Sequence, residues 1–352
     1  MEYRHPVPAS QTSAVAPPVD ADGPRFSVPV ADRGYAWWYI DAWSDCGRHG
    51  LTLIAMLGCV FSPWYARARR RADRSGAARP PAVDPLDHSG LNVALYGAAG
   101  HRWALTERGV GDVERTATRL AIGPSALSWD GEELRVSIDE RTAPWPRALR
   151  GTVRVRPGAR LHQGYALDAA TDGAARHLWW PIAPRSRVSV EFAQPSLAWH
   201  GDGYLDANAG RAPLEDDFDS WNWSRAHRGE ETRVFYDTVW RDAPPGRTAT
   251  RGRSLALAFD AQGVRDIAAP PVQRLPTTPW GIRRETRSDH GRGARVLATL
   301  EDGPFYARSR IGSQLDGALA TGFHESVSLR RFAAPWVQAL LPVRLPRRPL
   351  AR

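Results

Sequence analysis

From Leu91 onward the chain is written in short strand-like pieces spaced about ten residues apart, among them LNVALYG, RWALTERG, TRLAIG, ALSWDG, ELRVSIDE and TVRVRPG. Most alternate apolar and polar residues with the period of two that a half-buried strand requires, and they are punctuated by Gly, Pro or Asp-Gly, where a chain can reverse. Trp129-Asp130-Gly131 is the clearest hairpin turn. A second series of similar rhythm follows in RVFYDTVW, SLALAFD, GVRDI, RVLATLED, PFYARSRIG and FHESVSLRRF. With 29 Pro and 31 Gly there is little room for long helices. The pattern predicts an all-β chain of two tandem antiparallel barrels or sandwiches with few short helices, and 352 residues suffice for two cores. HLWWPIAPRSRVSV, with Pro181 and Pro184, reads as the corner between them, which divides the chain into domains 27–185 and 186–348. Residues 1–26 are Pro- and Ala-rich without the apolar centre of a signal peptide and read as a disordered tail.

Leu51 to Phe61 (LTLIAMLGCVF) is the longest apolar run. It is about half the ~20 residues a spanning helix needs, and its Thr, Ile and Val, a preceding Gly turn and Pro63 predict a buried strand paired with GYAWWYIDAWSD. Residues 67–90, rich in Arg, Ala and Pro, read as a solvated loop.

The formal net charge is +9, and every basic residue is Arg. Such a charge suits an anionic surface, but no zinc-finger spacing, RNP-like segment or aromatic-interleaved basic stripe supports nucleic acid. An anionic membrane surface is the better partner, met through Arg67, Arg69, Arg70, Arg71, Arg74 and Arg79. Two cysteines, Cys46 and Cys59, make neither a disulfide framework nor a metal cluster and fit a reducing compartment. Nucleophile-elbow, P-loop, HExxH and Rossmann signatures are missing.

What remains is an excess of aromatics, 15 Trp against 9 Phe and 9 Tyr, grouped with His and carboxylates in four segments. In GYAWWYID, alternation sends Tyr35, Trp37 and Tyr39 to one face and Ala36, Trp38 and Ile40 to the other. RHLWWP puts His177 and Trp179 on one side and Trp180 on the other. In WHGDGYLDANAG, Asp206 follows Tyr204 by two residues and sits between Leu205 and Ala207, where burial would keep it protonated. The last, DSWNWSR, carries Trp221 and Trp223; its Arg225 is expected to pair with a carboxylate of Glu215 to Asp219. Aromatics fill cores anyway. The candidate substrate-contacting residues are Trp37, Trp38, Tyr39, Trp180, Trp221 and Trp223.

Together these segments, with GFHESVSLRRFAAPWVQALLPVRLPRR, lie in one order from Gly34 to Arg348, and the chain resembles the carotenoid 1,2-hydratase (hydroxyneurosporene synthase) family. The resemblance implies a pair of lipocalin-like units, distant kinship with tocopherol cyclases, and hydration of the terminal C1=C2 bond of acyclic carotenes such as neurosporene and lycopene, on the way to spheroidene- and spirilloxanthin-type pigments. It implies His177, Trp179, Tyr204 and Asp206 as catalytic residues, no metal, no nucleotide or redox cofactor, and a peripheral place on the cytoplasmic side of the membrane. On this reading Asp206 protonates C2, the faces of Trp179 and Tyr204 stabilise the C1 cation, and His177 orients water or holds Asp206 in its donor state. A non-catalytic prenyl-lipid carrier and a related cyclase are the competing classes.

Overall fold

Both faces of the strand Tyr35–Ser44 are buried, and this double burial governs the architecture seen in a computed structural model. The described residues are 14–348, without 78–79, 98–99, 169–174, 242–250 and 290–292. The even residues Ala36, Trp38, Ile40 and Ala42 enter one apolar core; the odd residues Tyr35, Trp37 and Tyr39 enter another.

The first core lies inside a curled antiparallel sheet. Its main path runs Arg102–Ala104, Gly90–Gly97, His49–Leu57, Tyr35–Ser44, Leu197–Gly210, His177–Gln194, Ala148–Pro157, Leu134–Arg141, Ser125–Trp129, Arg119–Ile122 and Val113–Arg115. Leu51 and Val93 from one end share a single core with Leu127 and Val136 from the other, so the sheet is rolled around its own interior. The strand expected over Leu51–Phe61 is present as His49–Leu57, ending four residues earlier and paired with Tyr35–Ser44 as expected, and the hairpin at Asp130-Gly131 is present.

The second sheet runs Gly263–Asp266, Gly252–Asp260, Glu231–Trp240, Phe218–Arg228, Ala318–Ser328, Tyr306–Leu315 and Arg295–Asp302. A two-stranded ribbon, Val272–Leu275 with Arg284–Arg287, covers it through polar contacts: Ser224 to Thr286 (3.0 Å), Arg284 to Ser309 (2.8 Å) and His324 to the Glu285 carbonyl (2.9 Å). Its main apolar side instead faces the first sheet, so the second core is an aromatic layer between the two units. The fold is thus all-β, two lipocalin-like units in tandem.

Three expectations change. His177–Gln194 is a single 18-residue strand rather than a corner at 185/186; Pro181 and Pro184 are absorbed by two register shifts against Leu197–Gly210, and the change of sheet comes between Gly210 and Phe218. Residues 14–26 are not free: Val19–Asp20 pairs with Gly23–Pro24, and the Phe26 ring meets the edge of Trp38 at 4.9 Å, while residues 1–13 lie outside the described residues. The stretch after Phe61 is a helix, Pro63–Asp73, whose Ser62 hydroxyl caps the Trp64 and Tyr65 amides; Ala and Arg are strong helix formers. Arg69 is buried against Glu215 (2.7 Å), Arg67, Arg70, Arg71 and Arg74 face solvent, and Arg79 lies outside the described residues.

Candidate active site

Alternation in three neighbouring strands of the first sheet turns His177, Trp179, Tyr204, Asp206, Asn208, Trp37 and Tyr39 toward the inter-sheet layer, with Asp206 opposite Tyr39 and Asn208 opposite Trp37 across the ladder. Asp206 is 5% exposed. Its Oδ2 accepts two hydrogen bonds, from Trp179 Nε1–H (2.8 Å) and the Tyr204 hydroxyl (2.9 Å), whereas Oδ1 is buried without a partner among the described residues. Burial pushes the Asp206 carboxyl well above the usual carboxylate range, against the two donors that favour its charged form; the charges of Glu325 and Asp41 add to the upward push. Burial and the neighbouring Asp206 also keep the Tyr204 hydroxyl protonated. Because both protein donors occupy Oδ2, the acidic proton of Asp206 belongs on Oδ1.

Asp206 lines a small inner chamber of about 60 Å³ with Trp37, Tyr39, Asn208, Trp221, Trp223, Tyr236, Tyr306 and Glu325 among its walls. Ile54, Met56, Phe61 and Tyr306 line this chamber and also an outer cavity of about 320 Å³, so the two adjoin. Leu95, Trp103, Leu105, Leu300, Phe305 and Leu341 make the outer part mainly apolar. A mainly apolar outer cavity thus adjoins a small chamber with a polar wall. Among the described residues no group of three or more His, Cys, Asp or Glu side chains converges as a metal site.

Of the expected substrate-contacting residues, Trp37, Tyr39, Trp221 and Trp223 line the inner chamber. Trp38 and Trp180 face the interior of the first sheet, where Trp38 Nε1–H donates to the Pro18 carbonyl (3.1 Å). Trp179 and Tyr204 touch Asp206 but do not line the chamber, so the rings available to a cation are those of Trp37, Tyr39, Phe61, Trp221, Trp223, Tyr236 and Tyr306. His177 stands one layer back: its Nε2 meets Asp217 (2.6 Å), its Nδ1 the Tyr35 hydroxyl (2.9 Å), and Tyr35 stacks on Trp37 at 4.8 Å. It therefore positions Trp37 rather than touching Asp206.

Sequence reasoning missed the buried ion network behind the chamber. Arg225 pairs with Asp41, not with the 215–219 carboxylates; Asp41 also accepts from Arg308 (3.0 Å) and Tyr39 (2.8 Å), and Arg308 pairs with Glu325. Burial alone would raise the Asp41 pKa, but Arg225 and Arg308 outweigh it and hold the carboxyl below its ordinary value. Removing one member of such a buried network typically costs about 3–5 kcal/mol. Asn208 carried a usable signal, two residues after Asp206 on the same strand face.

Fold and site define a lipocalin-like, two-unit β protein with a buried carboxyl of raised pKa beside an apolar cavity, an architecture suited to proton-initiated lipid chemistry. The chain belongs to the carotenoid hydratase family: residues 53–352 match the family described as carotenoid hydratase CrtC. It is similar to the acyclic carotenoid 1,2-hydratase of Thiocapsa roseopersicina, 51% identical over 329 residues, which cover 93% of this chain and 76% of that one. The enzyme of the same description from Rubrivivax gelatinosus is 46% identical over 327 residues, covering 92% and 76%. Among solved structures, a putative AttH from Nitrosomonas europaea shares the fold, with a TM-score of 0.56 at 15% identity, covering 83% of this chain and 92% of that chain.

Proposed function

We propose that this chain hydrates the terminal C1=C2 bond of acyclic carotenes such as neurosporene and lycopene, with Asp206 as the proton donor. The observation that carries the reading is the asymmetric Asp206 carboxyl, with Oδ2 held by Trp179 and Tyr204 and an unpartnered Oδ1 on a residue lining the chamber. Hydrating an unactivated trisubstituted alkene requires a strong neutral acid, because protonation at C2 leaves a tertiary cation on C1 with no heteroatom to share the charge. A desolvated acid surrounded by ring faces meets both needs, and cation–π attraction is worth about 2 kcal/mol or more when desolvated. Oxidation state is unchanged overall, so this chain's residues need only bind the hydrocarbon, move protons and admit one water.

The substrate is a membrane solute, and a face suited to meeting it lies beside the outer cavity. On the helix Pro335–Arg344, Trp336, Leu340 and Val343 share one exposed face, and Trp280 stacks on Trp336. Leu341 and Arg344 of the same helix line the outer cavity. Arg70 reaches Gln338 at 3.2 Å, bringing the exposed arginines of the helix Pro63–Asp73 alongside. Apolar anchors rimmed by arginine fit an anionic lipid surface. No helix among the described residues is long and apolar enough to cross a bilayer.

The test is incubation of purified protein with lycopene in detergent, followed by chromatography and mass measurement. The expected product is heavier by one water, and Asp206→Asn, which keeps an oxygen for Trp179 and Tyr204, folds and lowers the rate about 10²–10⁴-fold. Hydration at the wild-type rate by that variant would remove Asp206 as the acid. Lycopene that binds but returns unchanged would leave a carrier, and an isomer of equal mass a cyclase.

A further inference from the structure

Protonation is half of a hydration. The other half needs a water held against C1 and a base for the proton which that water must lose. Three residues lining the inner chamber carry buried polar atoms with no partner among the described residues: Asp206 Oδ1, Asn208 Nδ2 and Trp223 Nε1. A fourth polar residue faces the same chamber from the opposite sheet. Glu325 lies beside Trp223 across the ladder and lines the chamber, with 13% of its side chain exposed. Its Oε1 pairs with Arg308, which fixes its direction and favours the ionised form, and lies 3.0 Å from the Tyr39 hydroxyl, whose one proton is shared between it and Asp41. Burial acts the other way and lifts the Glu325 pKa above its ordinary value, as suits a group that must take up a proton. Asp206, by contrast, has just become an anion whose Oδ2 is committed to two donors.

We propose that Glu325 is the catalytic base of the second half-reaction, holding the attacking water together with the Asn208 amide and taking its proton as the C–O bond forms. The inference rests on Asp206 being the acid. The C1=C2 π electrons take the Asp206 proton to make the C2–H bond, and the water oxygen donates a lone pair to C1. One water proton passes to Glu325, which leaves a neutral tertiary alcohol, an Asp206 carboxylate and a Glu325 carboxylic acid. Solvent water returns the proton from Glu325 to Asp206, and no oxidant or reductant enters. Acid and base thus act from opposite sheets on the two carbons of one double bond.

The experiment separates the halves by running the reaction in D2O and measuring deuterium in both product and recovered lycopene. Wild type gives deuterated alcohol. Glu325→Gln should lose hydration by at least about 100-fold. It still forms the cation, which reverts by proton loss, so recovered lycopene gains deuterium. Asp206→Asn should do neither. Glu325→Asp keeps the counter-charge of Arg308 but withdraws the base by one methylene, so it folds and the ratio of exchange to hydration rises. Wild-type hydration in Glu325→Gln, or an unchanged ratio in Glu325→Asp, overturns the assignment. Equal loss of exchange and hydration in folded Glu325→Gln also overturns it, by reducing Glu325 to a support. Exchange or hydration persisting in Asp206→Asn would instead sink the acid on which the inference rests.

Discussion

The indole of Trp179 is the sharpest place to separate two roles for an aromatic residue. If its ring stabilised the cation, Trp179→Phe would keep much of the activity, because a phenyl face remains. The structure assigns it a different role, since its Nε1–H donates to Asp206 Oδ2 at 2.8 Å and the ring does not line the chamber. Phe removes that donor. A hydrogen bond to a charged group is worth about 1.5–3 kcal/mol. Because this one favours the carboxylate left after proton transfer, its loss weakens the acid and slows hydration roughly 10- to 150-fold. Tyr204→Phe should lose a similar amount, and the double variant less than the product of the two, since a carboxyl already free to turn has less orientation to lose. Single-turnover hydration of lycopene in detergent gives the rate. Trp180→Phe is the control: the same substitution next door on the strand, but into the interior of the first sheet, so it lowers thermal stability and leaves the rate alone. Equal rates for Trp179→Phe and Trp180→Phe would refute the donor role.

The acid must be protonated and the base ionised, and burial raises the pKa of both Asp206 and Glu325, so the hydration rate should fall at low pH as Glu325 takes up a proton and fall again as pH rises through the elevated Asp206 value. A rate that does not fall on the alkaline side would contradict the sign for Asp206, and one that stays level at low pH would contradict Glu325 as base. For the outer face, co-sedimentation with vesicles containing anionic lipid should weaken with salt and fall in Trp336→Ala and Leu340→Glu, while hydration of detergent-solubilised lycopene is unchanged. Binding indifferent to salt and to both substitutions would discard that face.

Strand alternation makes the site legible to a useful depth. It separates Tyr35, Trp37 and Tyr39 from Trp38, and the pair His177 and Trp179 from Trp180, as the structure has them. The burial of both faces draws an aromatic residue on either side into the candidate set, although polarity does mark the chamber face, which carries Tyr39, Asp41, His177, Asp206 and Asn208 against an all-apolar interior face. Trp38 and Trp180 therefore look like chamber residues in the sequence although they face the other way. The ion network is hidden for another reason. Asp41 meets Arg225 and Arg308 from positions 184 and 267 residues away, and no local pattern encodes such distant partners. The helix after Ser62 is legible in principle, since a serine cap and Pro at its first turn precede a run of helix formers, but its arginines suggest solvent instead.

The two-sheet construction divides the work of the chamber. On the proposed mechanism the proton donor stands on one curled sheet and the base that meets the water on the other, while ring faces come from both. Substitutions on the second sheet can therefore alter what quenches the charge, a water or a nucleophile of the lipid itself, without touching the machinery that creates it. Such a layout lets one ancestral proton donor serve descendants with different products, and chemical diversification would be expected to begin around Trp223 and Glu325 rather than at Asp206.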